Sequence, residues 1–275
     1  MKISIIIPIG DKDAWGECEK SIKASIAAYS GDISAEMLPC WDIDHRGAYV
    51  ARNEGLSRAT GDWITWVDCD DVVEVAWFST ICNSIESNPW FDVLVFGISE
   101  IKDGEKRTIY SPEKHFEDGE SYARWMIGGT GMPHWLWHRV FRKELWSGVS
   151  FEGRVKQDYH ASLQVLPRVK KVLFIPDVLY TYVRHGHGLS NYVQSMDYDG
   201  ACKGFLRQIE KLPQSWQYEA RRGVGLMMVD VILHDPNVRG TNKYLRPFFW
   251  DLFVMGGMSL RFRVKCILAA LCWWK

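Results

Sequence analysis

The chain has no C-x-x-C pair, and its seven cysteines, at positions 18, 40, 69, 82, 202, 266 and 272, are odd in number. Neither a zinc ribbon nor a disulfide framework is therefore expected, and a reducing cytoplasm fits best. Charge of either sign is not in excess: a net charge of -1 leaves no global basic field, which counts against a nucleic-acid binder. Internal repeats and low-complexity tracts are absent. Residues 1–11, MKISIIIPIGD, have an apolar core only from Ile3 to Ile9 with Pro8 inside it and no small-residue cleavage site after it, so they are read as a first core strand rather than a leader peptide.

What is present describes a globular protein. With 275 residues, 47% hydrophobic and 24% charged, the chain can bury a sizeable core as one large domain or a domain plus an appendage. Ile3–Ile7 is a short β-branched run suited to a strand covered on both faces. Trp15, Cys18, Ile22, Ile26 and Tyr29 then recur at helical spacing. Residues 48–59 read as helix, 62–67 as strand, 77–85 as helix and 92–98 as strand. Asp103-Gly104 within 98–110 marks a hairpin. Further strands are expected at 171–175 and 178–183, a short one at 35–38, and helices from 196 onward with breaks at Pro213 and Pro236. This alternation predicts an α/β fold with a mainly parallel sheet flanked by helices, whose ligands sit outside the carboxyl ends of the strands.

At one such strand end the sequence ITWVDCDD (64–71) crowds Asp68, Asp70 and Asp71 together. On an extended chain Asp68 and Asp70 share one side and Cys69 points back inward. Converging carboxylates repel unless a cation neutralises them, and Mg²⁺ or Mn²⁺ is the natural partner. The plainer alternative is an aspartate capping a helix that begins near Val73.

The surrounding residues resemble the inverting family 2 glycosyltransferases of the GT-A fold, of the bacterial surface-polysaccharide type. The resemblance rests on SIIIP (4–8), on ARNEGLSRATGDWITWVDCDD (51–71), on WHRVFRK (137–143), on Gln157-Asp158 and on the aromatic stretch VLYTYVRHGHG (178–188). It implies a GT-A domain over 1–190 with a helical extension over 191–275. It also implies transfer of a sugar, with inversion, from a nucleotide-sugar donor, a UDP-sugar being expected, to a hydroxyl of a lipid-linked or polysaccharide acceptor. By position, Asp70 and Asp68 are similar to the metal-binding residues that hold the donor diphosphate on Mn²⁺ or Mg²⁺. Asp158 resembles the general base, although the family usually places Glu before it and this chain has Gln157. Pro8, Arg52, Asn53, Cys69, Arg184, His185 and His187 lie in or beside the matched motifs as donor-contacting positions. Trp135, Trp137, Arg139 and Gln157 lie where the acceptor is expected.

One departure concerns residues 30–46. The family carries D-D-G-S there, acids that help recognise base and ribose. This chain has SGDISAEMLPCWDIDHRG instead. Asp42 and Asp44 either substitute as donor contacts or serve as turn acids. The competing function is a degenerate GT-A protein acting as a non-catalytic binding or scaffold subunit of a polysaccharide assembly complex. Nucleotidyl transfer is disfavoured, because IGDKDAWG is a poor phosphate loop. Finally, SLRFRVKCILAALCWWK (259–275) has an uncharged run, Cys266–Trp274, far shorter than the roughly 20 residues that cross a bilayer. Its basic start and tryptophan tip suit a helix lying on the membrane surface, the alternative being a helix docked on the protein's own core. The expectation is a cytoplasmic protein held at the inner face of the cell membrane, with no nucleic-acid partner.

Overall fold

The computed structural model describes residues 1–10, 12–110, 118–128, 135–154, 156–184, 198–234 and 246–248. Pro236, His185, His187 and the 259–275 segment lie outside the described residues. The elements, in chain order, are β1 (Lys2–Ile9), α1 (Lys12–Ala27), β2 (Ser34–Trp41), α2 (Ala48–Arg58), β3 (Trp63–Trp66), β4 (Val72–Val73), α3 (Trp77–Ser87), β5 (Val93–Lys102), β6 (Glu105–Tyr110), α4 (Gly119–Ile127), β7 (Arg139–Arg142), α5 (Gln157–Val165), β8 (Val172–Val183), α6 (Tyr198–Lys211) and α7 (Gln214–His234).

Eight strands form one sheet in the order β2-β1-β3-β7-β5-β8-β4, with β6 paired to β5. The sheet is mixed. β1 is parallel to β2 and β3, and β5 is parallel to β8. β7 is antiparallel to both β3 and β5, so the parallel character read from the sequence is confined to two groups of strands that β7 joins. β1 lies between two parallel neighbours, and Ile3, Ile5, Ile6, Ile7 and Ile9 are all buried, as an unbroken apolar strand requires. The hairpin turns on Asp103 (φ 52) and Gly104 (φ 83), two successive left-handed residues of the kind that match strand twist.

Three readings change. The strands expected at 171–175 and 178–183 are one strand, β8; its register jumps from Val95↔Phe174 to Gly97↔Val178, so Pro176 sits in a bulge where no ladder N–H is needed. In α1 the buried stripe runs Cys18, Ile22, Ser25 rather than through Ile26. Ser25 is there because its hydroxyl donates to the Val75 carbonyl at 3.0 Å and accepts from the Phe78 amide at 2.8 Å, tying α1 to α3. The strand expected at 35–38 extends to Trp41. Helix α2 approaches β1 so closely that a Cβ on Gly55 would lie 2.2 Å from Ile6 Cγ2. Only glycine fits there.

The aromatic content is largely core: Trp66, Trp146 and Phe151 pack with ring centroids 5.1 to 5.7 Å apart, the large-area burial that dominates interior energetics. The five described cysteines are buried and form no disulfide. Burial pushes the thiols of Cys40 and Cys82 up, to about 11 and about 12, which keeps them unreactive.

Glu36 fastens β2 to its neighbours. Its carboxylate accepts from Ser4 Oγ at 2.5 Å, the Thr60 amide at 2.6 Å, Thr60 Oγ1 at 2.7 Å and the Gly61 amide at 3.0 Å. Burial alone would raise its pKa; these hydrogen bonds outweigh burial and lower it from 4.5 to about 2. A depressed carboxylate stabilises the fold above its unfolded pKa and loses that contribution as pH falls through the folded one, here between 4.5 and about 2. By linkage the contribution is on the order of 3 kcal/mol at neutral pH. Urea unfolding of Glu36→Gln is expected to show a loss of about 2 kcal/mol at pH 7 and a shallower decline between pH 4.5 and 3 than the parent. Parallel pH profiles would refute the assignment.

By contact the chain groups into two units of interleaved segments. The first holds Met1–Tyr122, Trp135–Phe151 and Arg168–Gly188; the second holds Ala123–His134, Glu152–Pro167 and Leu189–Lys275. Segments 123–134 and 152–167 thus group with the helical part rather than the sheet. Within the second unit Tyr159 donates to the Ile127 carbonyl at 2.6 Å. A Cβ on Gly223 would meet that carbonyl at 2.0 Å and the Tyr159 hydroxyl at 2.2 Å, so α7 and the end of α4 touch through glycine.

Candidate active site

In the first unit the fully buried β3 delivers the chain to the carboxyl edge of the sheet, where Asp68 to Asp71 close a turn: the Asp71 amide donates to the Asp68 carbonyl at 3.1 Å. The segment is thus a turn rather than an extended strand end, but the outcome for the side chains is the expected one. Cys69 is buried, and Asp68 and Asp70 are half-buried. The helix-capping alternative does not hold. The two-residue strand β4 follows the turn, and α3 starts only at Trp77, with Ala76 in the capping position.

Asp71, offered by the sequence only as an alternative to Asp70 for capping a helix, is the anchor. It is 1% exposed, accepts from Tyr180 Oη at 2.7 Å and from the Val183 amide at 2.8 Å, while the Asp68 amide donates to the same Tyr180 hydroxyl at 3.1 Å. Burial, then the charges of Asp68 and Asp70, push the Asp71 carboxyl well above the usual range, against the pull of the Val183 amide and Tyr180 hydroxyl. Burial, then the charges of Asp71 and Asp68, raise Tyr180. The turn is thus loaded with negative charge that a cation would relieve. Among the described residues no group of three His, Cys, Asp or Glu side chains could hold a metal by itself. Asp68 and Asp70 are the carboxylates that could contribute to holding Mg²⁺ or Mn²⁺, an ion that takes one or two carboxylates and completes its shell with water and phosphate.

Arg52 and Asn53, read as donor contacts, are engaged inside the protein. Arg52 is buried; its Nη2 donates to Asp68 Oδ1 at 2.9 Å and its guanidinium lies over the Phe151 ring at 5.9 Å. Asn53 clamps the backbone of Phe151, donating to its carbonyl at 2.9 Å and accepting its amide at 2.8 Å. The A-R-N segment thus positions the acidic turn from beneath.

Pro8 is buried beside Cys40 in the β1–β2 register. Asp42 shapes the loop after β2: its carboxylate accepts the Arg46 amide at 2.8 Å and the Gly47 amide at 2.6 Å. Of the two readings offered for it, this is a turn acid. Asp44 is exposed and lies 3.7 Å from Arg46 Nε.

Four rings stack together, and one of them, Tyr180, is the ring that hydrogen-bonds the acidic turn. Trp137 lies 4.3 Å from Tyr180 and 4.8 Å from Trp135, nearly parallel to both, with Tyr182 6.0 Å away. Trp137 is buried within this stack; Trp135 and Tyr182 are its half-exposed members. Arg139 is also buried, donating through Nε to Tyr122 Oη at 2.9 Å and to the Trp135 carbonyl. Its reach is therefore inward, which supports the loop carrying Trp135. Tyr180 and Tyr182 were legible in principle, as alternate aromatics on β8. Arg184, at the end of β8, pairs with the buried Glu100, which Arg107 also holds at 2.8 Å. Burial would raise Glu100, but Arg184 and Arg107 hold its carboxyl below the usual range.

Asp158 falls in the second unit. It sits in the first turn of α5, after Lys156 rather than at the cap, where a negative charge is favoured by the helix dipole. Beside it, Gln157 Oε1 is buried with no hydrogen-bond partner among the described residues, a group that a ligand hydroxyl could satisfy.

Residues 43–144 match Glycosyl transferase family 2. The glycosyltransferase GlyA of Streptococcus pneumoniae is 24% identical over 185 residues, which are 57% of this chain and 25% of that protein. S. aureus TarS superposes with a TM-score of 0.62 at 11% identity, over 100% of this chain and 53% of TarS. A TarS 1–349 structure in complex with UDP-GlcNAc superposes with a TM-score of 0.61 at 14% identity, over 98% of this chain and 79% of that one. The chain spans about a quarter of the curated relative and about half of the first structure. The likeness to the solved structures is one of fold, of the GT-A type, and the segment that carries Arg52 and the acidic turn is the one similar to Glycosyl transferase family 2.

Proposed function

We propose that the protein is a glycosyltransferase that moves a sugar from a nucleotide-sugar, with inversion, to a hydroxyl of a lipid-linked or polysaccharide acceptor. The observation that carries this reading is the acidic turn at the carboxyl edge of β3, where half-buried Asp68 and Asp70 adjoin a buried Asp71 whose carboxyl their charges help push up, within the segment that matches the family. A divalent ion held there by Asp70 and Asp68 would neutralise a departing diphosphate. The chain's own residues do the rest. Arg52 fixes the orientation of Asp68, Asp71 and Tyr180 pin the turn to β8, and the half-exposed Trp135 and Tyr182 offer ring faces on which a sugar can stack. By its place in the resemblance alone, Asp158 is assigned as the base that takes the proton of the acceptor hydroxyl. The donor is a UDP-sugar, a choice supported by the TarS structure that holds UDP-GlcNAc. Residues 259–275 attach the enzyme to the inner face of the cell membrane, where a lipid-linked acceptor resides.

Titration calorimetry of the protein with UDP, GDP and CDP, each with Mn²⁺ and with chelator, tests the reading. A heat of binding for UDP that requires Mn²⁺ is expected. Folded protein that binds none of the three, with or without metal, would sink it.

A further inference from the structure

Within the second unit, α5, the loop before it and α6 enclose a cavity of about 180 Å³ lined by Glu152, His160, Gly200, Ala201, Gly204 and Phe205. It is open because the α6 wall is built of small residues. Gly200, Ala201 and Gly204 share one helical stripe, although glycine inside a helix costs stability that alanine would not. Packing does not demand that cost at Gly204. A Cβ there would lie 3.6 Å from the His160 ring and 3.7 Å from Glu152 Oε2, ordinary contact distances, whereas at Gly55 and Gly223 it would collide with its neighbours at 2.2 and 2.0 Å. Gly204 preserves space instead of relieving a clash.

The polar groups on the wall are a donor and an acceptor. His160 is buried, and its Nδ1 lies 3.3 Å from Gln164 Nε2; an amide nitrogen only donates, so Nδ1 accepts and the ring hydrogen sits on Nε2. Nε2 is 3.6 Å from Glu152 Oε2, beyond direct hydrogen-bond range, so the ring N–H and the carboxylate stand side by side. Arg207 Nη2, 3.2 Å from Glu152 Oε2, balances the carboxylate. Phe205 adds a buried ring 6.0 Å from the imidazole.

Each feature excludes a class of occupant. The carboxylate disfavours an anion, while Arg207 and the imidazole N–H disfavour a cation. A wholly apolar occupant would take the Glu152 carboxylate out of water with nothing in its place. The volume slightly exceeds the roughly 150 Å³ that holds one benzene ring. A neutral six-membered ring carrying hydroxyls meets all of these conditions. We propose that the cavity binds a single pyranose residue, its hydroxyls against His160 and Glu152 and its C–H face against Phe205. Successive helical residues turn by about 100°, so His160 lies on nearly the opposite side of α5 from Asp158. The site is therefore separate from the one assigned to Asp158, and the proposal does not depend on the glycosyltransferase reading. Where that reading holds, the bound pyranose is a unit of the saccharide chain other than the one that reacts.

The test uses the whole chain labelled with ¹⁵N-histidine, and the methyl pyranosides of glucose, galactose and N-acetylglucosamine as probes. The ring signals of His160 are identified by their loss in His160→Gln. At least one probe is expected to shift them in the parent, with a dissociation constant on the order of 1 to 10 mM, the usual affinity of so small a ligand. Gly204→Met fills the cavity and should abolish the shift while the melting temperature holds or rises, because methionine is the better helix former. Glu152→Ala, at the exposed rim, should weaken binding about 10-fold, as for a lost hydrogen bond to a charged group, and decides the matter alone if the methionine is not accommodated. No shift from any probe at about 50 mM, or unchanged affinity in either folded variant, overturns the proposal. Neither outcome bears on UDP binding, so the glycosyltransferase reading stands or falls by its own calorimetry.

Discussion

Asp70→Ala is expected to weaken Mn²⁺-dependent UDP binding by about 100-fold or more, the loss that follows removal of a direct carboxylate ligand from a site with few of them. The fold should not suffer. Asp70 is half-buried on a surface turn, and its charge is one of the influences that push the buried Asp71 carboxyl up. Removing it relieves a like-charge repulsion, so the metal-free melting temperature is expected to hold or rise slightly. That direction separates lost ligation from lost structure. Calorimetry with and without chelator, paired with thermal denaturation, reads both. A variant that binds UDP as tightly as the parent and still responds to Mn²⁺ would show that the acidic turn is not the metal site. Asp68→Ala differs in kind: it strands the buried Arg52 guanidinium that now donates to it at 2.9 Å, so a loss of stability accompanies the loss of binding.

Asp158→Asn is expected to lower kcat by about 10² to 10⁴-fold with donor affinity unchanged, because asparagine keeps the shape of the side chain but cannot accept the proton of an acceptor hydroxyl. Its structural cost is small. The side chain lies in the first turn of α5, where exchanging a charged for a neutral residue forfeits roughly 0.5 kcal/mol of dipole interaction. Steady-state transfer assays with the matched donor, alongside calorimetry of UDP, separate the two effects. If kcat is unaffected, Asp158 serves the helix and some other group is the base. Gln157→Glu offers a companion measurement: a second negative charge beside Asp158 raises the pKa of the base, so the acidic limb of the rate profile should move to higher pH.

Much of the frame was legible because short-range periodicity reports burial. The almost continuous Ile3–Ile7 run announced a strand covered on both faces. The spacing of Trp77, Phe78, Ile81, Cys82 and Ile85 matched the buried stripe of α3 residue for residue. Asp103-Gly104 announced the hairpin, because Asp-Gly readily adopts the two successive positive φ angles found there. The fused strand β8 was not legible, since proline normally ends a strand and only the bulge opposite Gly97 shows how this one is accommodated.

For the site, residue chemistry and chain order were enough to nominate the acidic turn, because three carboxylates after an apolar run carry their meaning in the sequence itself. Which of them faces solvent and which is spent inside depends on partners far away in the chain. Asp71 is buried by Tyr180 and Val183, more than a hundred residues distant. Arg52 and Asn53 reach Asp68 and Phe151 inside the protein, partners that local sequence does not reveal. Asp42 accepts two amides of its own loop, and Trp41 is left open beside it. The sequence alone determined the element types and the chemical character of the edge, since both follow from local pattern. Only the tertiary structure decided which polar groups remain available to a ligand, because hydrogen-bonding capacity is limited and the partners that consume it come together only when the sheet is assembled.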